Sequence, residues 1–486
     1  MLKTFFVRSR PDMKTLRLVL PVLFTLFLLP FSAQAAGDGH ALDGASLSIV
    51  WVIPFVCMLL SIAICPLVVP HFWHHHFGKV AAFWGLAFLI PCALVYGFPL
   101  AFAQLVHVFL GEYVPFIILL FALFTVAGGV RLKGQLVGTP VVNTGILLIG
   151  TVLASWMGTT GAAMLLIRPL LRANAHRKFR MHSVVFFIFL VANIGGSLTP
   201  LGDPPLFLGF LKGVSFFWTT VHLFVKTCLL SAILLIVFFI LDTVLYNKEG
   251  RPVQPASAAS SEKLGLDGSF NLVLILCIVA AVLFSGMWKP GVSFNIFGTE
   301  VELQNLARDI ALLVIAGISW KVTSRECRNL NGFTWGPIEE VAKLFIGIFI
   351  SMIPAIAILR AGENGALAPV IQMVFHDGQP VNAMFFWLSG ILSSFLDNAP
   401  TYLVFFNTAT GDPVHLMGEW AGTLSAISAG SVFMGAVTYI GNAPNFMVRS
   451  IAEEQGVPMP SFFGYMVWSV GILYPCFALL TVLFFL

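Results

Sequence analysis

Charged side chains are scarce in this chain: Asp, Glu, Lys and Arg make up only 10% of its 486 residues, against about 25% in soluble domains. Because 58% of the residues are hydrophobic, an ordinary soluble fold is excluded. The net charge of +4 is too small to indicate nucleic acid as a partner. The sequence contains no P-loop, nucleotide fingerprint or catalytic-triad spacing, so it predicts neither an enzyme, nor ATP drive, nor a cofactor.

Cysteine is also sparse, and it follows no functional spacing. The seven cysteines form no CxxC pair and no metal-ligand pattern, and most of them lie inside apolar runs. We interpret them as small buried hydrophobic residues.

Long apolar runs are abundant and recur along the whole chain, about 20 residues each, the length that spans a bilayer as a helix. The predicted fold class is an all-α polytopic membrane protein embedded in the lipid bilayer. The predicted membrane segments are 47–70, 80–100, 113–130, 141–172, 182–211, 216–245, 269–288, 306–320, 338–359, 381–410, 421–449 and 463–486.

The N-terminus combines basic residues, an apolar stretch from Leu18 to Phe31 and the small-residue sequence Ser32 to Ala36. This order is typical of a cleavable secretory signal, and a retained first helix is the alternative. Residues 1–36 are therefore predicted to be a signal peptide or a first helix. Together with the membrane segments, they predict a multi-pass protein of the bacterial inner membrane.

Loop charges predict two re-entrant hairpins. Arg131 and Lys133 precede segment 141–172, and four basic residues between 172 and 180 follow it, so both flanking loops belong inside the cell. A single crossing would place one of them outside, so the segment is predicted to enter and leave on the same side. By the same reasoning, segment 381–410 lies between two outside loops. Hairpins that open to opposite sides predict an inverted repeat.

The repeat is also visible in the residues at an offset of 239. Thr199 to Phe207 and Thr438 to Phe446 share four of nine positions, and both stretches interrupt an apolar run with turn-forming residues. We predict a first membrane half at 37–246, with a hairpin at 141–172 and a broken helix at 182–211. The second half, 269–486, has a hairpin at 381–410 and a broken helix at 421–449. Residues 247–268 are predicted to be a flexible cytoplasmic linker. Secondary transporters place their binding site where two such breaks meet.

Two acidic residues stand alone in these interrupted segments. Asp203 is the only acid or Lys/Arg between 182 and 211, and Asp397 is the only one between 381 and 410. Charges at membrane depth are expensive and usually functional. Asn398 and Asn442 adjoin them and offer carboxamide oxygens. The alternative is that Asp203 and Asp397 only cap the half-helices that follow them.

Further candidates surround the breaks and the hairpin tips. Hydroxyls and unwound backbone carbonyls there would supply the oxygen ligands that suit sodium, and helix starts would favour an anion. The alternative for a lone hydroxyl is helix packing. The predicted ion- or substrate-binding residues are Asp203, Asp397, Asn398, Asn442, Thr199, Thr438, Gly202, Gly441, Thr159, Thr160 and Ser394, with no catalytic residue and no metal beyond sodium at Asp203 and Asp397.

Arg168 and a cluster of histidines allow two interpretations each. Arg168 either extends to the interface or provides a counter-charge for substrate or for Asp203. His71, His74, His75 and His76 are interpreted as a solvated first cytoplasmic loop, with a metal site or pH sensor as the alternative. Acids at the predicted helix starts, Glu112, Glu339 and Glu340, are interpreted as favourable to the helix dipole.

These motifs resemble the ion transporter superfamily, which includes NhaD-type sodium/proton antiporters, arsenite permeases and citrate or dicarboxylate carriers. The stretch from Gly195 to Asp203 is similar to the NhaD-type pattern Thr-Pro-Ile-Gly-Asp, and Ser393 to Asn398 is similar to the second hairpin of that group. The first hairpin departs from the pattern, because Gly158 and Thr159 stand where the antiporters carry Asp-Asn. The chain therefore resembles a divergent branch of the superfamily.

The resemblance implies a secondary transporter with sodium and protons as the transported species. The expected activity is sodium/proton antiport at an Asp-based site in the middle of the membrane. Sodium- or proton-coupled transport of citrate or a dicarboxylate is the alternative, and a metal-binding membrane protein built on the His cluster is a remote one. The expected partners are a small ion or carboxylate and the lipid bilayer, and a homodimer stays open.

Overall fold

The structure, a computed structural model, describes residues 42–134, 136–252 and 264–486. The predicted signal peptide or first helix at 1–36 lies outside these ranges, and so does most of the polar part of the linker, 253–263. We refer to residues 42–252 as the first half and to residues 264–486 as the second half.

Long apolar helices dominate the described residues and confirm the prediction of an all-α polytopic membrane protein. The eight that are long and apolar enough to cross a membrane are Ile49–Val68, Pro70–Tyr96, Phe98–Ala127, Pro140–Met157, Trp218–Lys248, Phe270–Met287, Gly336–Arg360 and Phe462–Phe484. The shorter helices that shape the centre are Thr159–Ala173, Met181–Leu190, Pro204–Leu211, Asn382–Phe395, Asn398–Thr408, Ala421–Phe433 and Ala443–Glu454. Leu303–Val322, Arg325–Leu330, Ala368–Val374 and Pro413–Met417 complete the α-helices.

We call the seven shorter helices that shape the centre the inner group, and the long helices, including Leu303–Val322, the outer group. In the outer group, Pro70–Tyr96 lies along Gly336–Arg360, and Val114–Ala127 along Leu303–Val322. In the inner group, Asn382–Phe395 packs on Ala421–Phe433. Helices of 8–15 residues cannot span a bilayer alone, so the inner group depends on packing against its neighbours.

Each hairpin consists of an outgoing arm, a tip and a return arm. The first hairpin runs from Pro140 to Met157, turns at Gly158 with φ of +81°, and returns as Thr159–Ala173. A residue with a side chain rarely adopts that angle, so glycine makes the sharp tip. The second hairpin, Asn382–Phe395 and Asn398–Thr408, turns at Leu396 and Asp397, both of which have negative φ.

The helix that follows each hairpin is interrupted, and the two interruptions lie at equivalent points. Met181–Leu190 ends before a short 3-10 turn at Ile194–Ser197, and the chain continues unwound until Pro204–Leu211 begins. Ala421–Phe433 is followed by a 3-10 turn at Met434–Val437 and by Ala443–Glu454. Proline in the first turn of each half-helix has no N–H to leave unsatisfied there, which favours a fresh helix start.

The return arm of each hairpin packs against the half-helix of the opposite half. Thr159–Ala173 contacts Ala443–Glu454, and Asn398–Thr408 contacts Pro204–Leu211. This exchange brings both hairpin tips and both breaks to one central place. That the two hairpins open to opposite sides of the membrane stays a prediction.

In the described part of the chain, three two-stranded antiparallel sheets lie between helices. Arg131–Lys133 pairs with Gly265–Asp267, Ser293–Ile296 with Thr299–Glu302, and Phe375–His376 with Gln379–Pro380. The first of these sheets changes the prediction for the linker. Residues 265–267 are not flexible chain, because they form ladder bonds with the loop after Val114–Ala127. The helix before the linker also extends to Lys248.

The four clustered histidines do not form the predicted first cytoplasmic loop, so that prediction was wrong. They lie in the first two turns of Pro70–Tyr96, where Pro70 starts the helix. Nδ1 of His75 lies 2.9 Å from the His71 carbonyl oxygen, and Nδ1 of His76 lies 3.1 Å from that of Phe72. The described residues contain no group of three or more His, Cys, Asp or Glu side chains placed to hold a metal ion.

Glu112 also differs from its prediction as a helix-start residue. It lies in a π-helical turn, Phe109–Tyr113, inside one continuous helix from Phe98 to Ala127. Pro115 follows within a turn and cannot donate a backbone hydrogen bond, which favours a local widening of the helix. Glu112 forms an ion pair with Lys212 at the end of the first half-helix. Glu339 does lie in the first turn of Gly336–Arg360, as expected.

A buried charged cluster anchors the base of the first hairpin, and the sequence did not reveal it. The Arg177 guanidinium lies 2.6 Å from the Asp242 carboxylate, and both side chains are fully buried. Nε2 of His182 lies 2.9 Å from the same carboxylate, and Asn143 donates to it at 2.8 Å. These contacts hold the loop between the first hairpin and the first broken helix on Trp218–Lys248.

Candidate functional site

Asp203 lies at the centre of the crossing, where the two tips meet the two breaks. Its side chain is only 1% exposed. Although it occupies the N-cap position of Pro204–Leu211, it makes no side-chain capping hydrogen bond to that helix. The local capping alternative is therefore wrong for Asp203, and its carboxylate faces other partners.

Three neutral side chains donate hydrogen bonds to the Asp203 carboxylate. Oγ1 of Thr159 and Nδ2 of Asn442 both donate to Oδ1 at 3.1 Å, and Nδ2 of Asn398 donates to Oδ2. Thr159 comes from the first tip, Asn398 from the second tip and Asn442 from the second break. The Asp203 carboxylate thus connects its own break to both hairpin tips and to the other break.

No cation balances this buried charge among the residues that the structure describes. Asp203 has no Lys, Arg or His within salt-bridge distance, and the one other charged group within electrostatic range is Asp397. A buried carboxylate without a counter-charge is unfavourable unless a proton or a cation neutralises it.

Asp397 has a different role from Asp203. Its carboxylate accepts a hydrogen bond from the backbone N–H of Ala399 at 3.0 Å, which caps the return arm of its own hairpin. The carbonyl oxygen of Asp397 accepts the Thr401 hydroxyl at 3.0 Å. Capping, one of the two interpretations of this residue, is therefore present, while the carboxylate remains near that of Asp203.

Asn398 contributes a free acceptor to the centre. Its Nδ2 donates to Asp203, and its Oδ1 is buried with no hydrogen-bond partner in the described chain. A buried carboxamide oxygen without a donor is uncommon. This oxygen and the Asp203 carboxylate oxygens are of the ligand type that suits a hard cation such as sodium.

Two asparagines that the sequence prediction missed connect the breaks to each other. Asn193 donates to Oδ1 of Asn445 at 2.7 Å, and its own Oδ1 accepts from Asn442 at 3.2 Å. Asn445 donates to the carbonyl oxygens of Gly435 and Thr438 at 2.8 and 2.9 Å. All are buried. Their polarity inside an apolar run was a usable signal, which the search for charged residues overlooked.

Thr199 and Thr438 were predicted as ligands, but their hydroxyls are engaged with backbone. Thr199 donates to the carbonyl oxygen of Ser155 and accepts from the N–H of Leu201 at 3.2 Å. Thr438 makes the same two bonds, to Ser394 and from Ile440. These hydroxyls therefore lock each break onto its hairpin.

The remaining predicted residues are also structural in their contacts. Ser394 donates to the carbonyl oxygens of Gly390 and Met434 at 2.9 and 3.0 Å. The carbonyl oxygen of Gly202 accepts the N–H of Thr159 at 2.9 Å, so it is not a free carbonyl. At Gly441 an added Cβ would lie 2.6 Å from the Gly435 carbonyl oxygen, so close packing requires glycine there. Thr160 is half-buried in the first turn of its return arm.

Arg168 is not a counter-charge for Asp203. Its guanidinium lies against Gly332 and beside Arg172, near the base of the first hairpin. A Cβ added at Gly332 would lie 2.2 Å from Nη2 of Arg168. The return arm separates it from Asp203: Thr159 is nine residues away, about 14 Å along a helix.

Comparison with known proteins agrees with this architecture. Residues 44–485 match the family described as "Putative citrate transport", and the chain belongs to that family. Uncharacterized transporters of Mycobacterium bovis and Mycobacterium tuberculosis are each 24% identical over 338 residues, covering 66% of this chain and 72% of the relative. The P protein of Sus scrofa is 24% identical over 398 residues, covering 64% of this chain and 44% of that protein.

Proposed function

We propose that this member of the transporter family exchanges sodium for protons at Asp203. The observation that carries the proposal is the buried Asp203 carboxylate, which receives three neutral donors and has no cationic partner in the described chain. Such a group is neutralised either by a proton or by a small cation. A residue that binds either one, but not both, is the elementary requirement for antiport.

Sodium and the proton compete for the same oxygens in this mechanism. Sodium would bind the oxygens of the Asp203 carboxylate and Oδ1 of Asn398, which are buried. When sodium leaves, a proton binds the Asp203 carboxylate, because burial makes its charged form unfavourable. Asp397 lies close enough to add negative potential, which favours a cation at Asp203.

Alternating access would follow from the hairpins. Thr159 and Asn398 are the first residues of the two return arms, and both reach Asp203. We propose that the inner group moves as a unit past the outer group and opens the centre to one side at a time. The site would then reside in the bacterial inner membrane, in the orientation given by the basic loops.

The test is Asp203→Asn in inside-out vesicles, with a pH-sensitive dye reporting proton movement after a sodium pulse. We expect sodium-driven proton movement to fall about 100-fold or more, since the amide can neither release a proton nor attract a cation. Asp377→Asn is the matched control, because Asp377 is exposed in a short turn and should leave the rate unchanged. Unchanged proton movement in Asp203→Asn would exclude this residue as the coupling site.

Sodium-coupled uptake of citrate or a dicarboxylate is the second candidate, favoured by the family description. Both return arms begin at the centre, and the positive end of a helix dipole favours an anion there. Against it, no Lys or Arg contacts Asp203 in the described residues, and a tricarboxylate needs neutralisation. Radiolabelled citrate uptake in proteoliposomes, with and without sodium, separates the two. Sodium-dependent accumulation of citrate would favour this candidate over antiport.

A further inference from the structure

A cavity of about 610 Å³ opens where the second hairpin ends. Its walls come from the end of Gly336–Arg360, from the short helix Ala368–Val374 and from the end of the return arm, Asn398–Thr408. We call it the end cavity. Asn407 in its wall is nine residues, about 14 Å along the helix, from Asn398 at the centre. Ligand pockets commonly measure about 300–1,000 Å³, so this volume suits a small organic molecule.

The deep wall of the end cavity is polar and held by hydrogen bonds. Asn407 and Thr408 line it and are only 1% and 6% exposed. Nδ2 of Asn407 donates to the Leu403 carbonyl oxygen at 2.7 Å, and the Thr408 hydroxyl donates to that of Val404 at 2.9 Å. Oδ1 of Asn407 accepts from Nε of Arg360 at 2.8 Å. A buried amide thus orients the Arg360 guanidinium at the cavity.

Two opposite charges line the end cavity without pairing with each other. Arg360 uses its Nε for Asn407, and no acid of the described residues lies within salt-bridge distance of its guanidinium. The Glu363 carboxylate, three residues further along the chain, has no ion pair and no hydrogen bond in the same part of the chain. Asp377 is 91% exposed at the rim, 3.5 Å from Nε2 of His376. The cavity therefore offers one cation and one anion to a ligand.

The opposite wall is apolar. Leu359 and Ile371 are 3% and 7% exposed, and Phe375 beside them is half-buried. Burying the apolar part of a ligand against these side chains removes it from water, which favours binding. A ligand that fits the whole cavity therefore combines two opposite charges with an apolar group.

The backbone at the mouth of the cavity is strained. Thr410 lines the cavity with φ of +109°, an angle that a β-branched residue rarely adopts. At Gly411, where φ is +74°, an added Cβ would lie 2.9 Å from Oδ1 of Asn407. The turn is therefore held close to the bond between Asn407 and Arg360. Strained residues of this kind cluster at ligand sites, which agrees with the charges and the volume.

We propose that the end cavity binds a small zwitterion, an α-amino acid with an apolar side chain. Its carboxylate accepts hydrogen bonds from the terminal nitrogens of Arg360, whose planar fork matches a carboxylate. Its ammonium group donates to the Glu363 carboxylate, and its side chain packs on the apolar wall. Both protein charges are accessible to water, so each contributes modestly, and we expect a dissociation constant of about 0.1 mM.

Such a ligand would connect the two groups of helices. Arg360 ends a helix of the outer group, whereas Asn407 and Thr408 end a return arm of the inner group. A bound amino acid would add contacts to the existing bond between Arg360 and Asn407 and hold the second hairpin against the outer group. The site lies at the end of that hairpin which the loop charges predict to be outside the cell. This inference does not depend on which ion the centre transports.

The test measures the unfolding temperature of the purified full chain in detergent, with L-leucine or L-methionine as the probe. At about 10 mM, roughly 100 times the expected dissociation constant, we expect a rise of about 2–4 °C. Two analogues of leucine separate its charges: 4-methylpentanoate lacks the ammonium group, and 3-methylbutylamine lacks the carboxylate. Each should give less than half the rise. No rise with either amino acid, or an equal rise with one of the analogues, would overturn the proposal.

Variants with matched controls assign the effect to the cavity. Arg360→Gln and Glu363→Gln should each lose at least half of the rise with leucine. Lys289→Gln and Glu300→Gln remove one exposed charge of each sign outside the cavity and should keep it. Glu363 makes no contact that the fold needs, so Glu363→Gln serves if Arg360→Gln folds poorly. A full rise in Glu363→Gln, or a loss of equal size in the two controls, would contradict binding at this site.

Discussion

The two breaks share a backbone plan but not a chemistry. At the offset of 239 residues, Ser155 donates to Gly195 and Ser394 donates to Met434, both through backbone carbonyl oxygens. The threonine locks, Thr199 and Thr438, repeat in the same way. The halves diverge at the next key position, where the first break has Asp203 and the second has the equivalent Asn442. The repeated contacts set the shape, and one changed residue sets the charge.

The hairpin tips diverge in the opposite sense. The first tip reads Gly158-Thr159 and the second reads Asp397-Asn398. Thr159 and Asn398 are equivalent by offset, and both donate to Asp203. Each half therefore supplies one acid, from the break in the first half and from the tip in the second. The acid of the break accepts side-chain hydrogen bonds from both halves, whereas the acid of the tip caps its own return arm.

The largest effect we expect comes from filling the close contact inside each break. An added Cβ would lie 2.1 Å from the Gly196 carbonyl oxygen in Gly202→Ala, and 2.6 Å from that of Gly435 in Gly441→Ala. We expect losses of about 3 kcal/mol or more for the first and about 2 kcal/mol for the second. Thermal unfolding in detergent measures both. Gly145→Ala, which meets open space, is the control, and equal stability in all three would contradict the shared backbone plan.

Exchanging the acid between the breaks comes next. Asn442→Asp alone places a second carboxylate beside Asp203, and we expect sodium-driven proton movement to fall about 10-fold or more. Adding Asp203→Asn to that variant moves the single acid to the second break. Because Thr159 and Asn398 are equivalent donors, the double variant should recover at least about 10-fold over Asp203→Asn alone. No recovery in vesicle assays would mean that the two breaks are not interchangeable. Asn193, whose equivalent is Val432, is the residue that would prevent it.

A smaller and equal effect is expected from the two threonine locks. Thr199→Val and Thr438→Val keep the shape but remove the hydroxyl that donates to the hairpin carbonyl. Each should lower stability by about 1–2 kcal/mol. Unfolding midpoints of the pair provide the measurement, and Thr243→Val, whose hydroxyl donates to a carbonyl oxygen of its own helix, is the control. If the losses of stability in the two variants differ by more than about 1 kcal/mol, the two halves share the geometry of this contact but not its energy.

The smallest effect is expected at the second tip. Asn caps helices about as well as Asp, so Asp397→Asn keeps the bond to the Ala399 N–H. We expect a stability change below about 0.5 kcal/mol and a reduction of transport far smaller than that of Asp203→Asn. Asp397→Ala, which loses the cap, should cost about 1 kcal/mol. If Asp397→Asn abolishes proton movement, its charge, and not its cap, is what the second tip contributes.

Much of the fold could be predicted because bilayer physics constrains it. The lengths of the apolar runs predicted the long helices. The positions of Arg131, Arg172 and Asp397 in the chain indicated where helices turn back. Boundaries were harder. Pro70 starts a helix where four histidines suggested a loop, and a π-helical turn carries Glu112 through a predicted gap. Local helix chemistry at these places outweighed polarity.

The centre was predictable only in part. Asp203, Asn398, Asn442 and Thr159 stand out because polar residues are rare in apolar segments, and the structure brings their side chains together. Which hydroxyls face inward does not follow from composition, since Thr199 and Thr438 bind backbone instead. Contacts between the halves, such as Asn193 with Asn445, depend on tertiary packing that no local pattern encodes.

The amide bridge between the breaks has a consequence for motion. Asn193 holds Asn445 and Asn442, and Asn442 holds Asp203, so the first interruption cannot slide without carrying the second with it. The two breaks are therefore expected to move together and by similar distances. A transported ion seated between them would travel with the whole assembly, and a half-turned intermediate, with one break displaced and the other at rest, would have to rupture several buried amide bonds at once.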